Sequence, residues 1–315
     1  MAYNNVISRA DVQAMIREQV SEIMLDQLNN ESAALTLFTR VNVPTNQTRF
    51  PVLSALPTAY FVSGDTGLKQ TTEAAWANKY LDVEEIAAIV PIPDAVRDDA
   101  GFDIGGQVVP LLRDAIARTL DSAIFFGTSK PASWPTDIAA SAVAAGNVVA
   151  RGTATQAKGG IAEDFNQLIG TLEDDGFAPT GFVANMTLRR QLRSARDAQG
   201  QLLMDVNGGV NNIWGLPTVY PMAGLWPAGV NAAEVFALQT RNFVIGVRQD
   251  FTVTFHTEGV ITDNTGAIIY NLMQQDMSAI RIVFRAGWQV VNPINYTQAT
   301  EASRYPAAVL RSPAV

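Results

Sequence analysis

The chain has 315 residues, of which 30 are acidic and 22 basic, for a formal charge of −8. That balance argues against a sequence-independent nucleic-acid binder, which needs a basic face to displace counterions. The absence of cysteine excludes disulfides, thiol nucleophiles and thiolate metal sites, and no run approaches the ~20 apolar residues of a membrane helix.

In chain order, the opening MAYNNVISRADVQ has no apolar core and is not expected to be a signal peptide. Ser8, with Asp11 three residues on, reads as a helix cap. Val12, Ile16, Val20, Ile23 and Leu28 then form one stripe at helical spacing, which must bury against its own body or a neighbour. Short apolar runs at 49–53, 59–63, 68–72 and 76–81, around the turn cluster Gly64-Asp65-Thr66-Gly67, predict a long and mostly polar β-hairpin. Such a ribbon is marginal alone in water and needs a partner surface. Residues 80–93 read as one strand, with Leu81, Val83, Ala87 and Ile89 on one face and Glu85 as the exception. Asp94 caps a short helical turn.

Residues 103–125 give the strongest helix signal, an apolar stripe through Ile104, Val108, Leu111, Leu112, Ile116, Leu120 and Ile124. Pro110 either kinks this helix or opens it, and Gly127 stops it. Residues 128–160 read as loop. A second amphipathic helix follows over 161–175, then a short strand at 181–184. Asn185 caps an arginine-rich helix to 196, and Trp214-Gly215-Leu216-Pro217 is a turn. The last third is strand-rich at 235–238, 243–247, 251–257 and 280–291, with 268–273 a further candidate. The class is α+β, with one long helix against sheet and a second α/β lobe in the middle.

Catalytic chemistry is scarce. The single histidine, His256, sits on an alternating strand, and neither a Gly-x-Ser-x-Gly elbow nor a phosphate loop occurs. Asp98, Asp99 and Asp103 fit no calcium-loop spacing and read as helix-flanking acids. Asp263-Asn264-Thr265-Gly266 reads as a turn. Arg189, Arg190, Arg193 and Arg196 cluster on one helix and read as a solvated face. The Asn-x-Thr triplets at Asn46, Asn185 and Asn295 are chance matches on this reading. No cofactor or metal is implied.

Taken in order, the N-terminal helix and arm, the hairpin ending in WANKYLDVEEIAAIVPIPDAVRDDA, the long helix ending DSAIFFG, WGLPTVYP, and the strand AIRIVFRAGWQVV form a constellation. It resembles the tailed-bacteriophage major capsid protein family, whose fold is named after phage Hong Kong 97, over about residues 41–293. The resemblance implies an arm at 1–47, an extended loop at 48–79 lying over an adjacent subunit, and a peripheral domain at 80–149 and 250–298. The spine helix, 103–126, belongs to that peripheral domain. It further implies an axial domain at 150–249 meeting its copies around five-fold and six-fold centres, and a tail at 299–315. Val12, Ile16, Val20, Ile23, Lys69, Trp76, Arg189, Arg190 and Arg193 are the candidate inter-subunit contacts. The implied partners are copies of the chain in hexamers and pentamers, a separate scaffolding protein, since only about forty residues precede the hairpin, and a portal. The icosahedral shell would be assembled in the bacterial host cytoplasm and would enclose double-stranded DNA without gripping it.

Some members of the family weld neighbours by a lysine-to-asparagine bond assisted by a glutamate. Lys69 lies near the hairpin tip, but Ala279 stands where the glutamate is expected and Leu272 where the asparagine is. No crosslink is therefore expected, and Lys69 reads as a polar contact. Competing readings are an encapsulin-type compartment on the same fold and, from another class, a soluble carboxylate-dependent hydrolase using the Asp98, Asp99 and Asp103 cluster.

Overall fold

The computed structural model describes residues 32–62, 67–99, 104–155, 158–196, 199–202, 211–221, 224–227 and 232–313. Its frame is a four-stranded sheet in the order β1-β10-β13-β4, made of β1 (Thr39–Asn42), β10 (Phe243–His256), β13 (Met277–Val290) and β4 (Glu84–Pro93). Helix α3 (Ile104–Phe126) lies against one face of it. At 23 residues, α3 spans about 35 Å. Its stripe Leu112, Ile116, Leu120 and Ile124 meets Ile245, Ile280, Ile282, Phe284 and Trp288 in the main core. Pro110 lies inside the helix rather than at its first position, on an exposed flank.

Gly127 ends α3 at φ +68°, in the left-handed region where glycine is the low-cost residue. A Cβ there would stand 2.6 Å from Asp137 Oδ1. That same Asp137 caps α4 (Ile138–Ala145) by accepting from Ala140 N at 2.9 Å. Stop and restart are thus packed together. Helix α4, and β5 (Val148–Ala150) after it, correct the expectation of loop over 128–160. The segment IAASAVAA is apolar all round, so no 3.6-residue stripe marks it.

The strand read as 80–93 is two strands. The break at Val83 separates β3 (Ala75–Asp82) from β4, and this reverses the expected face. Ile86, Ala88, Val90 and Ile92 pack on the core, while Ile89 is half exposed. Glu85, the misfit of the earlier pattern, is on the solvent side and pairs with Arg285 Nη2 at 2.6 Å across the β4–β13 register. The runs 243–247 and 251–257 join into the single strand β10, with register shifts between Val247 and Thr252.

The second lobe is a six-stranded mixed sheet in the order β5-β14-β9-β6-β8-β7. It adds β6 (Gly181–Ala184), β7 (Asn212–Ile213), β8 (Leu216–Val219), β9 (Ala233–Leu238) and β14 (Ala307–Arg311). Phe236, Leu238, Ala307 and Val309 face the main core. Val235, Ala237, Ala308 and Leu310 face α5 (Ile161–Asp174) through Phe165, Leu168 and Leu172. Residues 299–315, expected as a tail, therefore supply an inner strand of this sheet, with β5 on one side and β9 on the other. Within residues 1–47, β1 pairs in parallel with β10 and joins the four-stranded sheet.

Candidate functional site

The hairpin is real but shorter than its sequence pattern. β2 (Gln47–Ala55) pairs antiparallel with β3, and 59–62 and 68–72 carry no strand. Once past Ala55 and Ala75 the two arms have no cross-strand ladder. Two hydrogen bonds still join them, Thr58 N to Thr72 Oγ1 at 2.8 Å and Tyr60 Oη to Gln70 O at 2.9 Å. Nine residues of β2 at ~3.3 Å each make a ribbon about 30 Å long. Val52 and Leu81 are buried, but other large apolar side chains of the hairpin are left in solvent. Phe61 is fully exposed, Leu68 is 90% exposed and Trp76 is 66% exposed.

The root of the hairpin is fixed with care. In β10 and β13, Gly246 stands opposite Gly287, on the face away from α3. Leu81, fully buried, fills the window these glycines leave, together with Val43. A Cβ on Gly287 would lie 2.2 Å from Asp82 O, and one on Gly246 would lie 2.6 Å from Val43 Cγ2. The hairpin backbone crosses the sheet where the sheet has no side chains. Trp134 Nε1 donates to the same Asp82 carbonyl at 3.2 Å, Gln289 Nε2 donates to Tyr80 O at 2.5 Å, and Val83 N donates to Asn46 O at 2.8 Å. The sequence reading missed this window. Its available signal was a glycine inside each of two strong strand patterns, which marks a close backbone approach.

A second junction joins the arm to the body. Asp121 on α3 is buried and accepts from Ser32 Oγ at 2.6 Å, Ala33 N at 2.8 Å and Ala34 N at 3.2 Å. It thereby caps α1 (Ala33–Leu37) from outside the segment. Burial raises its carboxyl to about 6, against the lowering effect of these three donors.

Of the candidate contacts, Val12, Ile16, Val20 and Ile23 lie outside the described residues. Lys69 and Trp76 are exposed on the hairpin. The arginine cluster is only partly a solvated face. On α6 (Met186–Ser194), Arg190 and Arg193 are exposed, but Arg189 is half-buried, donates to Asn211 Oδ1 at 3.0 Å and stands 5.4 Å over the Tyr220 ring. Burial raises the Tyr220 hydroxyl to about 12 despite that arginine. The structure thus brings Arg189 into its own fold and leaves the other two to solvent.

Of the hydrolase alternative's residues, Asp98 and Asp99 are exposed. Asp98 and Asp94 flank Arg97 in α2 (Asp94–Asp99) at 3.7 Å and 3.2 Å, and Asp103 lies outside the described residues. His256 meets Thr254 Oγ1 at 3.1 Å on the same strand. Asp263 closes the turn between β11 (Val260–Thr262) and β12 (Ile268–Asn271) by accepting from Thr265 N at 2.8 Å and Ala267 N at 2.9 Å. Those hydrogen bonds, the Thr265 hydroxyl first, hold its carboxyl below the usual range. Among the described residues no group of acids and histidine is placed to hold a metal ion, and no helix is long and apolar enough to cross a membrane.

A model of the phage capsid family matches residues 13–296. A structure from Microbacterium phage Oxtober96 is 34% identical, with a TM-score of 0.84 over 98% of this chain and 100% of that one. One from Mycobacterium phage Adephagia is 31% identical, with a TM-score of 0.84 over 98% of each chain. The fold extends to the capsid of an empty GTA particle, at 20% identity and a TM-score of 0.68 over 98% of each chain. No curated protein matches the chain.

Proposed function

From the premise that the chain belongs to the phage capsid family, and is a structural component of the virion shell rather than an enzyme, we propose that it is the major capsid protein of a tailed phage. Copies associate in rings of six and five, and the rings close into an icosahedral head around double-stranded DNA. The observation that carries this reading is the hairpin. A two-stranded ribbon about 30 Å long is marginal by itself and leaves Phe61, Leu68 and Trp76 exposed, yet its root is locked by a glycine window, a buried leucine and an indole N–H. A rigid root on a ribbon with exposed apolar side chains makes sense when the ribbon lies on an adjacent copy, with Phe61, Leu68 and Trp76 as its apolar contacts and Lys69 as a polar one.

On this reading, residues 48–79 are the extended loop, the four-stranded sheet with α3 forms the peripheral domain, and the six-stranded lobe is the axial domain around the ring centre. Contacts of this kind are heterologous, and rotation by one-fifth or one-sixth closes them. Each contact can be weak, because every copy makes many at once. A subunit of net charge −8 contains DNA without condensing onto it. Residues 1–31 carry the remaining contact candidates, Val12, Ile16, Val20 and Ile23. A separate scaffolding protein and a portal complete the assembly, which takes place in the host cytoplasm.

Sedimentation and negative-stain microscopy of the full chain expressed alone test the proposal. Hollow closed particles, or rings of five and six, are expected. A species that stays monomeric or dimeric at every protein and salt concentration, and with candidate scaffold present, would overturn it.

A further inference from the structure

The segment after β13 touches the hairpin on one side and the six-stranded lobe on the other. On the hairpin side, Ile294 N donates to Leu53 O at 3.1 Å and Tyr296 Oη donates to Pro57 O at 3.0 Å. Lys79 Nζ meets Glu301 Oε1 at 2.7 Å. On the lobe side, Asn295 Nδ2 donates to Asp175 O at 2.7 Å. The Asp175 carboxylate accepts from Asn147 Nδ2 at 2.7 Å and from Tyr305 N at 3.0 Å. Gly176, at φ +77°, leaves no room for a side chain, since a Cβ would stand 2.9 Å from Thr297 Oγ1.

The segment is wound around one buried cation. Arg304 is 4% exposed, and among the described residues it is in ion-pair range of no carboxylate. Its guanidinium instead donates to Pro293 O at 3.1 Å, Ala299 O at 2.6 Å, Asn292 O at 3.3 Å and Gln298 O at 3.4 Å. A buried charge without a counter-ion persists only where several dipoles aim at it. Here those dipoles are the carbonyls of one loop, so desolvation of the charge works against any loosening of that loop.

We propose that residues 292–305 are a strut that ties the inclination of the hairpin to the six-stranded lobe. The hairpin then has two attachment points. The glycine window fixes where it crosses the four-stranded sheet, and the strut fixes the angle at which it leaves. A tilt of the lobe is transmitted to the hairpin through Asn295 and Arg304, and Val83 is not a free pivot. This holds for a single subunit and does not depend on what the hairpin later touches.

Hydrogen exchange of the full-length chain, kept below its assembly concentration, tests the strut with two variants. Tyr296→Phe removes a contact on the hairpin side. Asn295→Ala removes one on the lobe side and touches no hairpin residue. Both are expected to raise exchange of amides in 50–57 and 75–80 about tenfold, the size of one lost hydrogen bond, with α3, β10 and β13 unchanged. Because the chain lacks cysteine, spin labels introduced in Asn78→Cys and Glu173→Cys give a second reading. Their distance distribution is expected to broaden in Asn295→Ala. Hairpin exchange within twofold of the parent in Asn295→Ala, with an unchanged distance distribution, would show a hairpin held by its root alone and would overturn the proposal.

Discussion

Replacing Gly287 with alanine should displace the hairpin without unfolding the subunit. The added Cβ lies 2.2 Å from Asp82 O, 2.8 Å from Asp82 C and 2.8 Å from Leu81 Cδ2. Carbon–oxygen contacts are ordinarily no closer than about 3.3 Å, so the Asp82 peptide must retreat by roughly 1 Å. Two of the three obstructing atoms are backbone, and no rotamer change relieves them. Overpacking of this kind costs about 1–3 kcal/mol. The Trp134 indole, now 3.2 Å from that carbonyl, loses alignment and adds about 1 kcal/mol. The total is ~2–4 kcal/mol, read as a fall in the urea midpoint at unchanged slope. Gly170→Ala is the control. It lies in α5 with nothing within 4 Å of its added Cβ and should stabilise by about 0.5–1 kcal/mol. Because a 1 Å shift at the root is magnified along a ribbon about 30 Å long, particle yield should fall more steeply than stability. A Gly287→Ala chain as stable as the parent within about 0.5 kcal/mol, and assembling at parental yield, would refute the glycine-window argument.

Asp121→Ala should cost ~2–4 kcal/mol by leaving two buried N–H groups and Ser32 without their acceptor; a midpoint shift below about 0.5 kcal/mol counts against the cap. Asp121→Asn carries the pH test. The folded carboxyl sits at about 6 against an ordinary 3.8, so the folded state holds the proton more tightly. The Asp121 contribution is most favourable below about pH 4 and is lost as pH rises through 6. The gap between parent and Asp121→Asn midpoints should therefore change between pH 4 and 6 and be flat above 7; a gap independent of pH contradicts the burial argument. Phe61→Ser and Trp76→Ser change exposed positions and should leave the urea midpoint within about 0.5 kcal/mol while lowering particle yield. Parental yield from the double variant would remove the hairpin from assembly. Particles boiled in detergent should run as a single monomer band, in Lys69→Ala and parent alike; a ladder of multimers would reveal a covalent weld.

Long one-sided patterns were legible in the sequence. Helix α3 keeps its stripe over six turns, α5 repeats the pattern, and the alternation of β13 with Arg281 and Arg285 outward is plain. Strand β14, buried on both sides, and helix α4 were not. Strand β14 reads AAVLR because alternate residues serve two different cores, and that removes the period-two signal. Helix α4 fails for the related reason that it is apolar all round. The hairpin tip erred in the other direction, since its apolar residues at 59–62 and 68–72 copy a strand pattern while facing solvent. The face of β4 was misjudged through a single residue, Val83, because a break of one position exchanges the two sides of a strand. At the candidate site, Lys69, Trp76, Arg190 and Arg193, named from residue type, are exposed. The parts that position the hairpin root, Gly246, Gly287 and Trp134, carry no motif, because their role exists only between segments distant in the chain.

The place of β14 has a consequence for the order of synthesis. It lies between β5 and β9, yet it is translated after both. At ~5–20 residues per second, β9 waits several seconds on the ribosome for its neighbour. Until then the edges of β5 and β9 stand open and the lobe is split. A message broken or a chain released before residue 307 yields a polypeptide with every earlier strand and no finished lobe, its open edges prone to pair with whatever strand is near. The lobe is therefore finished only in chains translated through residue 311.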